Sequence, residues 1–122
     1  MKIRIKANSV RYRLTKSEVA EFCRTGYIQA VTCFPAQMLV YALQGQSDTE
    51  TLSADFQQNK ITLFFPESAQ KTWNESAQVG YTNEMPLPDG EMLTLLVEKD
   101  FVCLDNTAED QSDNYENPNA VC

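Results

Sequence analysis

Residues 1–26, MKIRIKANSVRYRLTKSEVAEFCRTG, decide the fold class, because two strand patterns and a helix start follow one another there without a break. Ile3 and Ile5 alternate with Lys2, Arg4 and Lys6, the period-two pattern of a strand with one apolar and one charged face. Asn8-Ser9 interrupts the alternation as a turn, after which Val10, Tyr12 and Leu14 alternate with Arg11 and Arg13. Thr15 and Glu18 have capping-box spacing, and Leu14 and Val19 sit at staple positions, so a helix is expected to begin there. Val19, Phe22 and Cys23 share its apolar face and Gly26 supplies a left-handed stop, which predicts a helix over residues 16–25.

The same reading extends down the chain. Tyr27 to Phe34 and Met38 to Gln44 are rich in β-branched and aromatic residues and meet at Pro35-Ala36, which predicts a strand pair. Leu52, Ala54 and Phe56, then Ile61, Leu63 and Phe65, form two alternating runs around a turn at Gln57 to Lys60, a β-hairpin. Pro66 and Glu67 suit the first turn of a helix over residues 66–75, with Ala69 and Trp73 toward the core. A strand at Gln78 to Thr82, a turn within Pro86 to Gly90 and an apolar strand from Met92 to Val97, continuing toward Leu104, complete the pattern. The expected architecture is a single α+β domain: a mainly antiparallel sheet of about seven to eight strands flanked by two short helices. That domain covers residues 1–104, and residues 105–122 form an irregular acidic C-terminal tail docked on it.

Composition limits function. The chain has 122 residues and a formal charge of −7, with 17 acidic against 10 basic side chains, which opposes nonspecific attraction to duplex DNA or an anionic membrane. No apolar stretch approaches membrane-helix length and no signal-peptide pattern opens the chain. Cys23, Cys33, Cys103 and Cys122 are scattered and form no C-x-x-C pair, so thiols in a cytoplasmic protein are expected. The absence of histidine removes His-based acid–base chemistry, Ser-His and Cys-His nucleophiles and His-ligated zinc together. With four glycines the chain also lacks a P-loop, a dinucleotide-binding glycine motif and a serine elbow.

Six of the ten basic residues, Lys2, Arg4, Lys6, Arg11, Arg13 and Lys16, fall in the first sixteen positions. Alternation puts most of them on one sheet face, where Arg4, Lys6, Arg11 and Arg13 become candidate anion-binding residues, since the arginine fork matches phosphate and carboxylate. The plainer reading is a solvated face that protects a sheet edge from pairing. At the other end Asp105, Glu109, Asp110 and Asp113 offer hard oxygen ligands, and Asp110 with Asp113 is the candidate divalent-metal pair, although calcium-loop spacing is absent. The tail could equally lie across the basic strands as a neutralising lid. Glu98 and Asp100 are a second carboxylate pair, and Lys99 is the one cation near Cys103 in sequence. Cys23, Cys33, Trp73 and the aromatics Phe22, Phe34, Phe56, Phe64 and Phe65 read as core.

Met1 to Lys6, Arg13 to Val19, Val97 to Phe101 with Cys103-Leu104, and then Glu109-Asp110, Asp113, Tyr115 and Asn117-Pro118 together resemble a family of small uncharacterised bacterial proteins. That resemblance implies a bacterial cytosolic protein and carries no catalytic role. A likeness to triphosphate-tunnel proteins stops at the first strand, where their metal-binding glutamates are replaced here by Lys2, Arg4 and Lys6. The expectation is therefore a noncatalytic binding or protein-interaction domain without a cofactor. Its partner would be an anionic ligand or an acidic protein, with self-association admitted. The alternative is a small metal-dependent enzyme acting on a phosphorylated or anionic substrate.

Overall fold

The computed structural model describes residues 1–102 and 110–116. Eight strands and two short helices follow in the order β1 (Lys2–Lys6), β2 (Ser9–Leu14), α1 (Lys16–Thr25), β3 (Tyr27–Cys33), β4 (Met38–Gln46), β5 (Ser53–Gln57), β6 (Lys60–Pro66), α2 (Glu67–Gln70), β7 (Gly80–Pro86) and β8 (Met92–Lys99). A single 3-10 turn, Trp73–Glu75, lies between α2 and β7. The chain is an α+β domain, and its strands divide between two four-stranded sheets ordered β1-β2-β8-β7 and β3-β4-β6-β5.

Both sheets share one plan. A parallel pair, β2 with β8 or β4 with β6, occupies the centre, and antiparallel partners flank it on either side. The central strands carry the most apolar inward residues: Val10, Tyr12, Leu14, Leu95 and Val97 from one sheet meet Tyr41, Leu43, Leu63 and Phe65 from the other in one core. Polar clips tie the layers across it. The Tyr12 hydroxyl donates to the Ile61 carbonyl at 3.1 Å, the Tyr41 hydroxyl to the Met1 carbonyl at 3.0 Å and the Asn83 amide to the Leu52 carbonyl at 2.8 Å. Tyr12 is fully buried, and that burial raises its phenol pKa far above the ordinary value.

Helix α1 closes one end of the two-sheet stack. The Glu18 carboxylate accepts the Thr15 backbone N–H at 2.9 Å, and Gly26, at φ 77°, ends the helix with its N–H on the Phe22 carbonyl. Phe22, Phe65, Trp73 and Tyr81 form an aromatic group beneath it, with ring centroids 4.8–5.8 Å apart in the contacts Phe22–Phe65, Phe65–Trp73, Phe65–Tyr81 and Trp73–Tyr81. The opposite end carries the hairpin turns. Gln58 and Asn59 both have positive φ, 51° and 64°, the conformation of a two-residue turn that matches strand twist.

Several expectations need correction. The first turn lies one residue earlier than expected, with Ala7 in the left-handed region at φ 47°. The helix over residues 66–75 is two pieces, because the chain leaves helical geometry at Thr72 and restarts as the 3-10 turn that delivers Trp73 to the core. β7 starts at Gly80 and runs on to Pro86, whose ring sits at the strand end where no N–H is needed. Cys33, Phe34 and Phe56 are exposed rather than core: they lie at the turn end of the second sheet, beyond the cover of the first. β8 ends at Lys99; Cys103 and Leu104 are outside the described residues.

Candidate functional site

The four candidate anion-binding residues come together on the outward face of the first sheet. The β1–β2 register sets Lys2 opposite Arg13, Arg4 opposite Arg11 and Lys6 opposite Ser9, so the charges of both strands point the same way. β1 is the sheet edge, and β8 continues each row inward with Glu98 beside Arg13, Leu96 beside Arg11 and Thr94 beside Ser9. Two small depressions lie on this face. One, of about 130 Å³, is lined by Lys2, Arg4, Arg11 and Arg13; the other, of about 220 Å³, by Arg4, Lys6, Ser9 and Arg11. Arg4 and Arg11 are common to both.

The electrostatics of the face are uneven. Arg11 Nε donates to the Glu98 carboxylate, and Lys2 Nζ lies 3.0 Å from the buried Asp100 carboxylate. No directed hydrogen bond reaches that Asp100 oxygen among the described residues, so the ammonium acts as its counter-charge. The expected carboxylate pair Glu98 and Asp100 is thus committed to Arg11 and Lys2 rather than free for acid–base work. Arg4, Lys6 and Arg13 form no ion pair among the described residues.

Asp113 reaches the start of α1: its backbone carbonyl accepts the Lys16 N–H at 2.9 Å, and its carboxylate accepts the Ser17 N–H at 3.3 Å and the Ser17 hydroxyl at 2.5 Å. Those are two of the amides that a helix N-terminus leaves without partners. Side-chain hydrogen bonds from Ser17 and Thr15 hold the Asp113 carboxyl below the usual range. Asp110 accepts the Ser112 N–H at 3.0 Å, which lowers its pKa in the same way. Among the described residues no group of three or more potential ligands is arranged to hold a metal. Asp110 and Asp113 line neither depression, and the contacts of Asp113 are at the start of α1. Asp105, Glu109, Cys103 and Cys122 lie outside the described residues.

Tyr115 fixes the same segment to the domain. Its N–H donates to the Asp100 carbonyl at 2.8 Å, and its ring meets Phe101 and the ammonium groups of Lys16 and Lys99. Lys99 is buried between the rings of Tyr115 and Trp73 and donates to the Ser76 carbonyl at 2.7 Å, and desolvation lowers its pKa.

A larger cleft, which sequence reasoning missed, opens at the C-terminal end of α1. Its volume is about 680 Å³, and Gly26, Gly45, Gln70, Arg24, Glu67 and Lys71 are among its lining residues. Gln70 is buried, and its amide nitrogen donates to the Phe22 and Cys23 carbonyls at 3.0 and 2.7 Å. Nothing local marks this glutamine as special; a glutamine between a short helix and a lysine reads as surface until its partners 47 and 48 residues away are known.

No helix among the described residues is long and apolar enough to cross a membrane. No curated protein and no solved structure matches the chain. Its sequence matches one described family over residues 1–119, and the chain therefore belongs to DUF7009, a family of unknown function.

Proposed function

We propose that the chain is a noncatalytic cytoplasmic binding domain of bacterial origin whose first-sheet outer face holds an anionic group of its partner. The observation that carries this reading is Arg4. It stands at the junction of two depressions, among Lys2, Lys6, Arg11 and Arg13, with no carboxylate paired to it among the described residues. Like charges in direct cross-strand opposition weaken a sheet, and an incoming phosphate or carboxylate removes that repulsion as it binds. The depressions are too small to enclose a drug-sized molecule, which suits a phosphoryl or carboxylate group on a larger partner better than an enveloped substrate. The net charge of −7 disfavours extended polyanions, so the partner presents a local anion rather than a duplex backbone.

The metal-dependent alternative needs the tail carboxylates and the basic face to converge on one pocket, and the contacts of Asp110 and Asp113 favour the binding reading over it. The test is a thermal-shift screen of the reduced protein against inorganic phosphate, sugar phosphates, nucleotides and acidic peptides, repeated with Arg4, Arg11 and Arg13 changed to alanine. A ligand in hundredfold excess over its dissociation constant stabilises by about 2.7 kcal/mol, a readily measured rise in melting temperature. A shift that disappears in the triple variant supports the site. Equal shifts in both proteins, or none with any anion, defeat it.

A further inference from the structure

The cleft at the end of α1 is distinct from the basic face and contains a polar atom held in place with nothing to accept. Gln70 is 5% exposed. Both hydrogens of its amide nitrogen are committed, at 3.0 Å to the Phe22 carbonyl and at 2.7 Å to the Cys23 carbonyl. Two carbonyl acceptors on that side fix the amide orientation, so Oε1 must point the other way. It accepts no hydrogen bond among the described residues. Oε1 is not sealed from solvent, so a ligand donor entering the cleft exchanges for water at a carbonyl whose direction is already set.

Two glycines make room at this atom. Gly26, in the left-handed conformation, and Gly45 meet backbone to backbone, Gly45 N–H donating to the Gly26 carbonyl at 2.8 Å. A Cβ on Gly45 would stand 3.0 Å from Gln70 Oε1, and one on Gly26 would stand 3.8 Å from it. The same floor lies at the C-terminal end of α1, where the helix dipole favours positive charge. At the rim are two cations, Arg24 and Lys71, the latter 3.2 Å from Glu67. The cleft therefore offers an acceptor and a negative dipole end below, with Arg24 and the Lys71–Glu67 ion pair above.

We propose that this cleft binds a small zwitterion carrying an ammonium and a carboxylate, such as a free α-amino acid. The ammonium donates to Gln70 Oε1, and the carboxylate meets Arg24 and Lys71 at the mouth. A simple amine lacks the second half of this match and a simple acid lacks the first. The volume of about 680 Å³ lies within the usual range for small-molecule sites, so the cleft also accommodates a side chain.

The test is a titration followed by amide resonances in a ¹H–¹⁵N spectrum. The probes are a panel of amino acids, with ethylamine and propionate as single-charge controls. The expected result is saturable shifts at Gly26, Gly45 and the Gln70 side-chain amide with at least one amino acid, at a dissociation constant of about 1 mM or below, and at least tenfold weaker binding of both controls. Gln70→Ala removes two helix contacts and is expected to unfold the site, so two other variants carry the decision. Arg24→Ala changes an exposed residue, and Gly45→Ala places a methyl group against Oε1; each is expected to weaken binding tenfold or more while the rest of the spectrum keeps its dispersion. Arg4→Ala serves as the control for the basic face and is expected to leave this titration unchanged. The proposal is overturned if no amino acid saturates the cleft resonances, if ethylamine or propionate binds as well, or if Arg24→Ala and Gly45→Ala bind as the native protein does.

Discussion

Arg4 and Arg11 stand directly opposite one another on β1 and β2, and of the two only Arg11 has a carboxylate, Glu98, beside it among the described residues. The repulsion between them is a cost of folding that a bound anion would offset. Arg4→Glu should therefore act in opposite directions on stability and on binding. A carboxylate in place of the guanidinium opposite Arg11 is expected to stabilise the protein by about 0.2–1 kcal/mol at low ionic strength. The gain should shrink in 1 M salt, where charges more than about 3 Å apart are screened. Urea denaturation at two salt concentrations measures the first effect, and phosphate-dependent thermal shifts measure the second, which should vanish. A variant less stable than the native protein at low salt would show that the two arginines are not in repulsive contact.

Phe65 contacts Phe22, Trp73 and Tyr81 with ring centroids 4.8–5.3 Å apart, and it is fully buried. It joins β6 to α1 and to the 3-10 turn, so its loss opens a cavity at the end of the domain that forms the cleft. Phe65→Ala is expected to cost about 3–5 kcal/mol by equilibrium denaturation. Phe56→Ala, at a residue 67% exposed, should change stability by less than about 0.5 kcal/mol. Equal effects at the two positions would contradict the burial pattern.

That contrast shows what the sequence disclosed and what it withheld. Helix α1 was legible because its signals are local: Thr15 and Glu18 open it and Gly26 closes it within one short segment. The basic face was legible for the same reason, since period-two alternation puts these charges on one face wherever the turn falls, although the pairing register follows the turn. Phe56 and Phe65 occupy the same inward parity on β5 and β6, yet one is exposed and the other buried. The difference depends on how far the opposite sheet extends, which no local pattern encodes. The parallel pairings of β2 with β8 and β4 with β6 are likewise tertiary facts, as is the cradle that Gly26 and Gly45 make for Gln70.

Tyr115 is expected to be the residue that holds the 110–116 segment in place. Its ring contacts Phe101, Lys16 and Lys99, and its backbone exchanges hydrogen bonds with Asp100 and Val102. Tyr115→Ala should raise the hydrogen-exchange rate of the Val102 and Lys16 amides, whose acceptors are the Tyr115 and Asp113 carbonyls. Amides of the β4–β6 ladder should keep their protection. Unchanged exchange at Val102 and Lys16 would mean that the backbone contacts alone suffice.

Asp113 couples this segment to pH. Hydrogen bonds from Ser17 and then Thr15 lower its pKa in the folded protein, and the N-terminal end of α1 favours its negative charge. The sign follows from proton binding: with the folded pKa depressed, the unfolded chain takes up the proton first as the pH falls. The contribution of Asp113 to stability is therefore fully present above the ordinary aspartate value of about 4 and declines as the pH drops through the lower folded value. Asp113→Asn removes the charge and keeps the shape. The native protein should be the more stable of the two at pH 7, and the difference should narrow steadily below about pH 4 in thermal melts at matched ionic strength. A difference that stayed constant from pH 7 to pH 3 would assign the effect of the substitution to packing rather than to the charge at the head of α1. Wider separation at low pH would reverse the sign and overturn the capping role of Asp113.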